Sequence, residues 1–112
     1  MRVVYWSESG VTRRLAEEYD GIPLTEYEAG PYLLAVPSYG SPRTGGYVPG
    51  AVLRFLAEHR PGCLGVIGVG NRNFGSDFCR AAYEINRDFG IPIVATIDMV
   101  PTADEKQQIQ RA

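Results

Sequence analysis

Along this chain, short continuous apolar runs alternate with longer stretches in which apolar residues recur every third or fourth position. The continuous runs cover residues 2–6, 24–27, 32–36, 63–69 and 93–97. Each has the length of a strand, and the lack of polar alternation predicts strands buried on both faces, as in a parallel sheet. Between them, Val11, Leu15 and Tyr19 define a helical stripe with Gly21 as its stop signal. A second stripe, Val52, Phe55, Leu56 and His59, follows Pro49, which suits a first helical turn, and ends at Pro61-Gly62. A third joins Phe78, Ala82, Ile85 and Phe89 and stops at Gly90, with Pro92 beyond. The last helix opens with Thr102 and Glu105 in capping-box spacing. This alternation predicts a single small α/β domain over residues 1–112, a doubly wound parallel sheet with helices on both faces. Ligands of such sheets sit beyond the carboxyl ends of the strands, where the winding reverses. The segments 7–11, 37–48 and 70–76, after the first, third and fourth strands, therefore form the candidate site.

Composition narrows the function without changing the fold. A chain of 112 residues with 45% apolar content suffices for one core. Its formal charge of -2 comes from 13 acids and 11 bases with no run of either sign. That balance lacks the basic face of a nucleic-acid binder. The apolar run behind Met1-Arg2 is too short for a signal peptide or a membrane span, so a cytoplasmic protein with no membrane partner is expected. Cys63 and Cys79 have neither metal-site spacing nor the pattern of a disulfide framework.

The first segment reads Ser7-Glu8-Ser9-Gly10-Val11-Thr12. Its hydroxyls, a glycine without Cβ, and the unpaired N–H groups at the head of a helix together make a seat for a phosphate. Arg13 or Arg14 can add charge, although a solvated helix face accounts for at least one of them. A polar turn with a helix N-cap is the plain alternative for this stretch. No GxxxxGK[ST] pattern is present, so a monophosphate fits better than a nucleoside triphosphate. Gly68-Val69-Gly70 begins a dinucleotide fingerprint, but Asn73 stands where the third glycine belongs, and NAD binding is rejected. His59 is the only histidine and lies far in sequence from these segments, which argues against a Ser-His-Asp triad. Trp6 reads as a core residue and Cys79 as buried and inert.

The pattern S-x-S-G-x-T after the first strand resembles the phosphate loop of flavodoxins, which bind FMN. Ser7 to Arg14, Pro37-Ser38-Tyr39-Gly40, Val48-Pro49, and above all Gly70-Asn71-Arg72-Asn73-Phe74-Gly75 with Cys79-Arg80-Ala81, resemble the NrdI family of flavodoxin-like proteins. Two departures stand out: Val11 where the family usually has Asn, and Ser41-Pro42-Arg43-Thr44 where its second loop is commonly glycine-rich. The resemblance implies a flavodoxin-like fold, FMN as cofactor, and a partner in NrdF, the small subunit of class Ib ribonucleotide reductase. It further implies that the reduced flavin reacts with dioxygen, and that a superoxide-type oxidant reaches a dimanganese site in NrdF where a tyrosyl radical is made. A flavin-reducing reductase or small redox protein would supply the electrons.

Set beside that scheme, Ser7, Glu8, Ser9, Gly10, Val11 and Thr12 are the expected phosphate loop. Pro37, Ser38, Tyr39, Gly40, Gly70, Asn71, Asn73, Phe74 and Gly75 are expected around the flavin ring. Glycines let backbone approach a flat ring, amides bond its polar edge, and Tyr39 and Phe74 are the stacking candidates. No catalytic residue and no metal ligand is expected. The segments 37–48 and 70–76 hold no Asp or Glu but carry Arg43 and Arg72. A cation about 8 Å from the ring at an effective dielectric of about 20 favours the reduced anion by roughly 2 kcal/mol before screening. Two other classes stay open: a short-chain flavodoxin carrying electrons, and a redox-inert anion-binding interaction domain.

Overall fold

Five parallel strands form one sheet: β1 (Arg2–Tyr5), β2 (Ile22–Pro23), β3 (Tyr32–Pro37), β4 (Cys63–Gly70) and β5 (Ile93–Asp98). Their spatial order is β2-β1-β3-β4-β5. The computed structural model describes residues 2–7, 10–37, 48–70 and 79–112. Among the described residues, α-helices follow strands in turn: α1 (Val11–Glu17), α2 (Gly50–His59), α3 (Arg80–Phe89) and α4 (Ala103–Arg111). Among the described residues no helix is long and apolar enough to cross a membrane.

The continuous apolar runs are explained by two cores, one on each face of the sheet. Val3, Leu33, Ala35, Ile67, Val69, Ala95 and Ile97 pack with Leu15 and Ala16 of α1 and Ile109 of α4. The intervening residues Val4, Tyr32, Leu34, Val36 and Val66 pack with Val52, Phe55 and Leu56 of α2 and with Ala81, Ala82 and Ile85 of α3. Both sets of strand positions are therefore inside, and each fully buried aliphatic side chain contributes about 1.5–3 kcal/mol. Trp6 and Tyr19 are partly buried against these cores, on the α2/α3 and α1/α4 faces respectively.

Three expectations shift in detail. The second strand lies at Ile22–Pro23, and residues Leu24–Glu26 form a single 3₁₀ turn instead of a strand. Pro23 has no N–H to extend the ladder, and the aromatic ring of Tyr27 turns inward against Tyr32 and Phe55 at centroid distances of 4.8 and 5.4 Å. Helix α1 stops at Glu17, before the expected Gly21, and Asp20 takes the left-handed conformation with φ 54°. Gly21 is needed for close approach, since a Cβ there would meet both the Cβ and the carbonyl oxygen of Ala16 at 2.8 Å. Helix α3 begins at Arg80, while Phe78 lies outside the described residues. The other two ends are as expected. Gly90 caps α3 at φ 69°, and Thr102 and Glu105 form the reciprocal capping box that opens α4.

Candidate functional site

Adjacent strands β1 and β3 send their chains in opposite directions, β1 through α1 to β2 and β3 through α2 to β4. This is the switch point of the winding, and the crevice beyond the carboxyl ends lies there. Strand ends and helix starts bring Ser7, Gly10, Val11, Thr12, Pro37 and Gly70 to this one edge. Glu8, Ser9, Ser38, Tyr39, Gly40, Asn71, Asn73, Phe74 and Gly75 lie outside the described residues, as do Arg43 and Arg72.

The turn from β1 into α1 has the local geometry of an open seat. Gly10 is the N-cap residue at φ 91°, a left-handed conformation that glycine tolerates and a side chain does not. Among the described residues, its chain neighbours aside, no atom lies within 4 Å of the position a Cβ would take. The Gly10 N–H donates to Ser7 Oγ at 3.1 Å, which braces the turn and leaves the Ser7 hydroxyl proton available to donate outward. The first helical bond runs from the Arg14 N–H to the Gly10 carbonyl at 3.0 Å. The N–H groups of Val11, Thr12 and Arg13 precede it, as the orphan donors of a helix start do. Thr12 is buried at 1% exposure. Arg13 pairs with Glu17 at 3.3 Å on a solvated face, while Arg14 turns to a groove beside the turn after β5. These groups fit a phosphate ester: donors, a glycine cradle and a helix dipole, with no described acid facing the seat.

Two features near Gly70 escaped the sequence reading. The Gly70 carbonyl accepts the Met99 N–H at 2.8 Å, which ties the start of the third loop to the turn after β5. Two residues earlier, Gly68 forms a notch where α3 crosses β4 closely, with Ala82 and Cys79 against it. Cys79 is buried at 1% exposure and heads α3 in the left-handed conformation, φ 53°. A glycine inside an apolar strand was the available signal of such an approach.

The opposite edge of the sheet holds His59, Tyr32 and Cys63. His59 lies at the far end of α2, its ring 4.8 Å from Phe55 and 5.1 Å from Tyr27, and its carbonyl accepts the Tyr32 hydroxyl at 2.9 Å. Burial pushes the Tyr32 phenol far above its ordinary value and raises the Cys63 thiol beside it. Both stay neutral.

Residues 3–111 match the family described as NrdI flavodoxin-like. The chain belongs to this NrdI family. A relative named Protein NrdI from Enterobacter sp. (strain 638) is 41% identical over 96 residues, covering 80% of this chain and 71% of that one. Protein NrdI of Escherichia coli O9:H4 (strain HS) is 39% identical over 121 aligned positions, 98% of this chain and 89% of the relative. Among solved structures, the fold is similar to that of a short-chain flavodoxin associated with a non-canonical PDU bacterial microcompartment. The TM-score is 0.64 at 16% identity, over 98% of this chain and 90% of the other, a likeness of fold alone. Membership of the NrdI family implies a flavin cofactor and a link to ribonucleotide reductase.

Proposed function

We propose that this chain is a cytoplasmic FMN flavoprotein that supplies a superoxide-type oxidant for assembling the dimanganese-tyrosyl radical cofactor of NrdF. The observation that carries the reading is the match of residues 3–111 to a flavodoxin-like NrdI family, in a fold whose β1–α1 turn opens at Gly10. Bound FMN provides one-electron chemistry and, once reduced by a flavin reductase or small redox protein, a reaction with dioxygen.

The chain's own residues bind and orient. Ser7, Ser9 and the first-turn N–H groups of Val11, Thr12 and Arg13 hold the phosphate, and Glu8 belongs to the same loop. One seat of this kind, with no sequence pattern for a second that would take an adenylate, favours FMN over FAD. Pro37, Ser38, Tyr39 and Gly40 on one side, and Gly70, Asn71, Asn73, Phe74 and Gly75 on the other, flank the ring. Residues 1–112 act as one FMN-binding domain, and NrdF docks over the second and third loops, where an oxidant can leave.

The test is reconstitution of manganese-loaded NrdF with dioxygen and the reduced protein, with tyrosyl radical read by electron paramagnetic resonance. Radical yield should depend on this protein, and the cofactor released on denaturation should be FMN. A yield indifferent to its addition would hand the reading to a short-chain flavodoxin that carries electrons. A redox titration separates the same two: closely spaced one-electron potentials fit the acid-free loops, whereas a strongly depressed second potential marks the electron carrier. A colourless protein that takes up no flavin would leave an anion-binding interaction domain.

A further inference from the structure

We infer that Met99 is a positioning residue for the cofactor site: its left-handed backbone holds Gly70, from which the third loop leaves the sheet. This role rests on the flavin reading above and adds to it a residue beyond the three loops. Met99 lies just past the end of β5, yet its N–H donates to the Gly70 carbonyl at 2.8 Å. That bond closes the last pair of the β4–β5 ladder, Gly70 with Asp98. Without it the ladder ends at Val69 and Ile97. Gly70, the residue type with the most backbone freedom to lose, then joins the loop.

Making this bond and then turning away at once strains the backbone. Met99 has φ 63°, and the Val100 N–H bonds the Asp98 carbonyl at 2.7 Å. A three-residue turn closed in this way around a positive central φ is the rare, strained form of γ-turn. A methionine keeps that conformation only where its surroundings over-determine it, and such residues gather at ligand sites. Here the surroundings are defined on both sides. Upstream, the ladder fixes Asp98. Downstream, Pro101 is buried and Thr102 is committed to the capping box of α4. Only Met99 and Val100 remain to carry the chain from the sheet to the helix. The same turn stands beside the first loop, since Met99 and Val11, at the head of α1, line one groove. Met99 thus sits between the segment assigned to the phosphate and one segment assigned to the ring. A cofactor that bridges the two binds more tightly when both are set beforehand, because less ordering is left to the moment of binding.

The test separates backbone from side chain at position 99. Asn favours the left-handed region and unbranched Ala enters it much as Met does, whereas β-branched Val is an outlier there. Hydrogen exchange of the residue-99 amide in the apoprotein reads the bond to Gly70, and flavin fluorescence titration reads FMN affinity. Met99→Asn and Met99→Ala should keep the amide protected and bind FMN within about threefold of wild type. Met99→Val should exchange at least about tenfold faster and bind FMN at least about tenfold more weakly, although it keeps more apolar surface than either. A packing role gives the opposite order, with Val nearest to wild type, and would overturn the inference. Amide exchange in Met99→Val as slow as in wild type would overturn it too. Should Met99→Val fail to fold, the other two variants decide: FMN affinity kept in both supports the backbone role, and affinity lost in both overturns it. A wild-type chain that takes up no FMN removes the flavin reading, and this role with it. Unchanged FMN affinity in Met99→Val despite fast exchange removes the positioning role alone.

Discussion

Replacing Gly68 by alanine is the sharpest single probe of how this fold positions its third loop. A Cβ at Gly68 would lie 2.9 Å from the Ala82 Cβ, 3.0 Å from the Cys79 Cβ and 3.2 Å from its Sγ. Carbon atoms are comfortable at about 3.5–4.0 Å. Neither neighbour can easily turn aside. Ala82 has no rotatable side chain and is 0% exposed, and Cys79 is 1% exposed and held at φ 53° by its place at the head of α3. Gly68→Ala must therefore lift the start of α3 or bend β4. An extra methyl in a packed core costs about 1–3 kcal/mol, offset by roughly 0.5–1 kcal/mol from the stiffer unfolded chain. The expected net loss is about 1–2 kcal/mol, a fall in Tm of roughly 4–8 °C. Urea and thermal denaturation read the stability, and flavin fluorescence reads FMN affinity, which should weaken at least about tenfold because α3 begins where the third loop ends. Adding Ala82→Gly removes the nearest clash, at about 1 kcal/mol for a glycine in a helix, and should restore FMN affinity more fully than stability. Wild-type stability in Gly68→Ala would refute the packing. Lowered stability with wild-type FMN affinity would refute the link between that packing and the loop.

Gly10→Val should abolish FMN binding while circular dichroism stays native: among the described residues, its chain neighbours aside, no atom lies within 4 Å of the new Cβ, so the damage is about 1–2 kcal/mol of left-handed strain and a filled seat. Unchanged affinity would remove the β1–α1 turn from the site. Thr102→Ala deletes the Oγ1 that accepts the Glu105 N–H at 3.2 Å and should cost about 1 kcal/mol in urea denaturation; no change would mean that α4 is held by Ile109 alone. The contribution of Cys63 and Tyr32 to stability should be level below about pH 9 and fall above it. Cys63 and Tyr32 are raised from ordinary values of 9.0 and 10.0, so the folded chain keeps protons that the unfolded chain releases, and their contribution is lost as pH rises. Cys63→Ala should move the onset up toward the tyrosine range, and an unmoved onset would mean that the thiol stays neutral in both states.

The sheet was legible because its strands are buried twice over. Tyr32 to Val36 reads as one unbroken apolar run because successive side chains belong alternately to the α2/α3 core and the α1/α4 core. Helix α4 was legible from Thr102 and Glu105 alone, since a reciprocal cap is a local signature. The edge strand was not. Ile22–Pro23 is two residues long, and nothing in Leu24 to Tyr27 reveals that Tyr27 turns inward to meet Tyr32 and Phe55. Gly21 was legible as a helix stop, and its N–H does close the end of α1 by bonding the Ala16 carbonyl at 2.8 Å with Asp20 left-handed before it, but the close approach to Ala16 that leaves no room for a Cβ was not legible. Within the candidate site, the tight turn at Ser7 and Gly10 could be read from residue type. The Gly68 notch and the bond from Met99 to Gly70 could not, because both depend on which elements the topology sets side by side.

The fold and the redox role are separable. A solved short-chain flavodoxin shares this architecture at 16% identity, so the fold tolerates widely different sequences. On the proposed reading, the charges that set the redox role lie in the loops at the carboxyl edge, beside the ring. At an effective dielectric of about 20, exchanging one acid for one cation at about 8 Å changes the energy of an anion by roughly 4 kcal/mol, enough to reorder two one-electron steps. The segments 37–48 and 70–76 have no acid and two arginines in sequence, and the described seat adds only backbone donors and hydroxyls. On the proposed reading, a rim of this composition would hold a reduced, anionic ring without repelling it. The absence of acids from these two segments would equally put no repulsion in the way of a departing anionic oxidant, so binding the reduced cofactor and releasing its product would draw on one feature of the sequence.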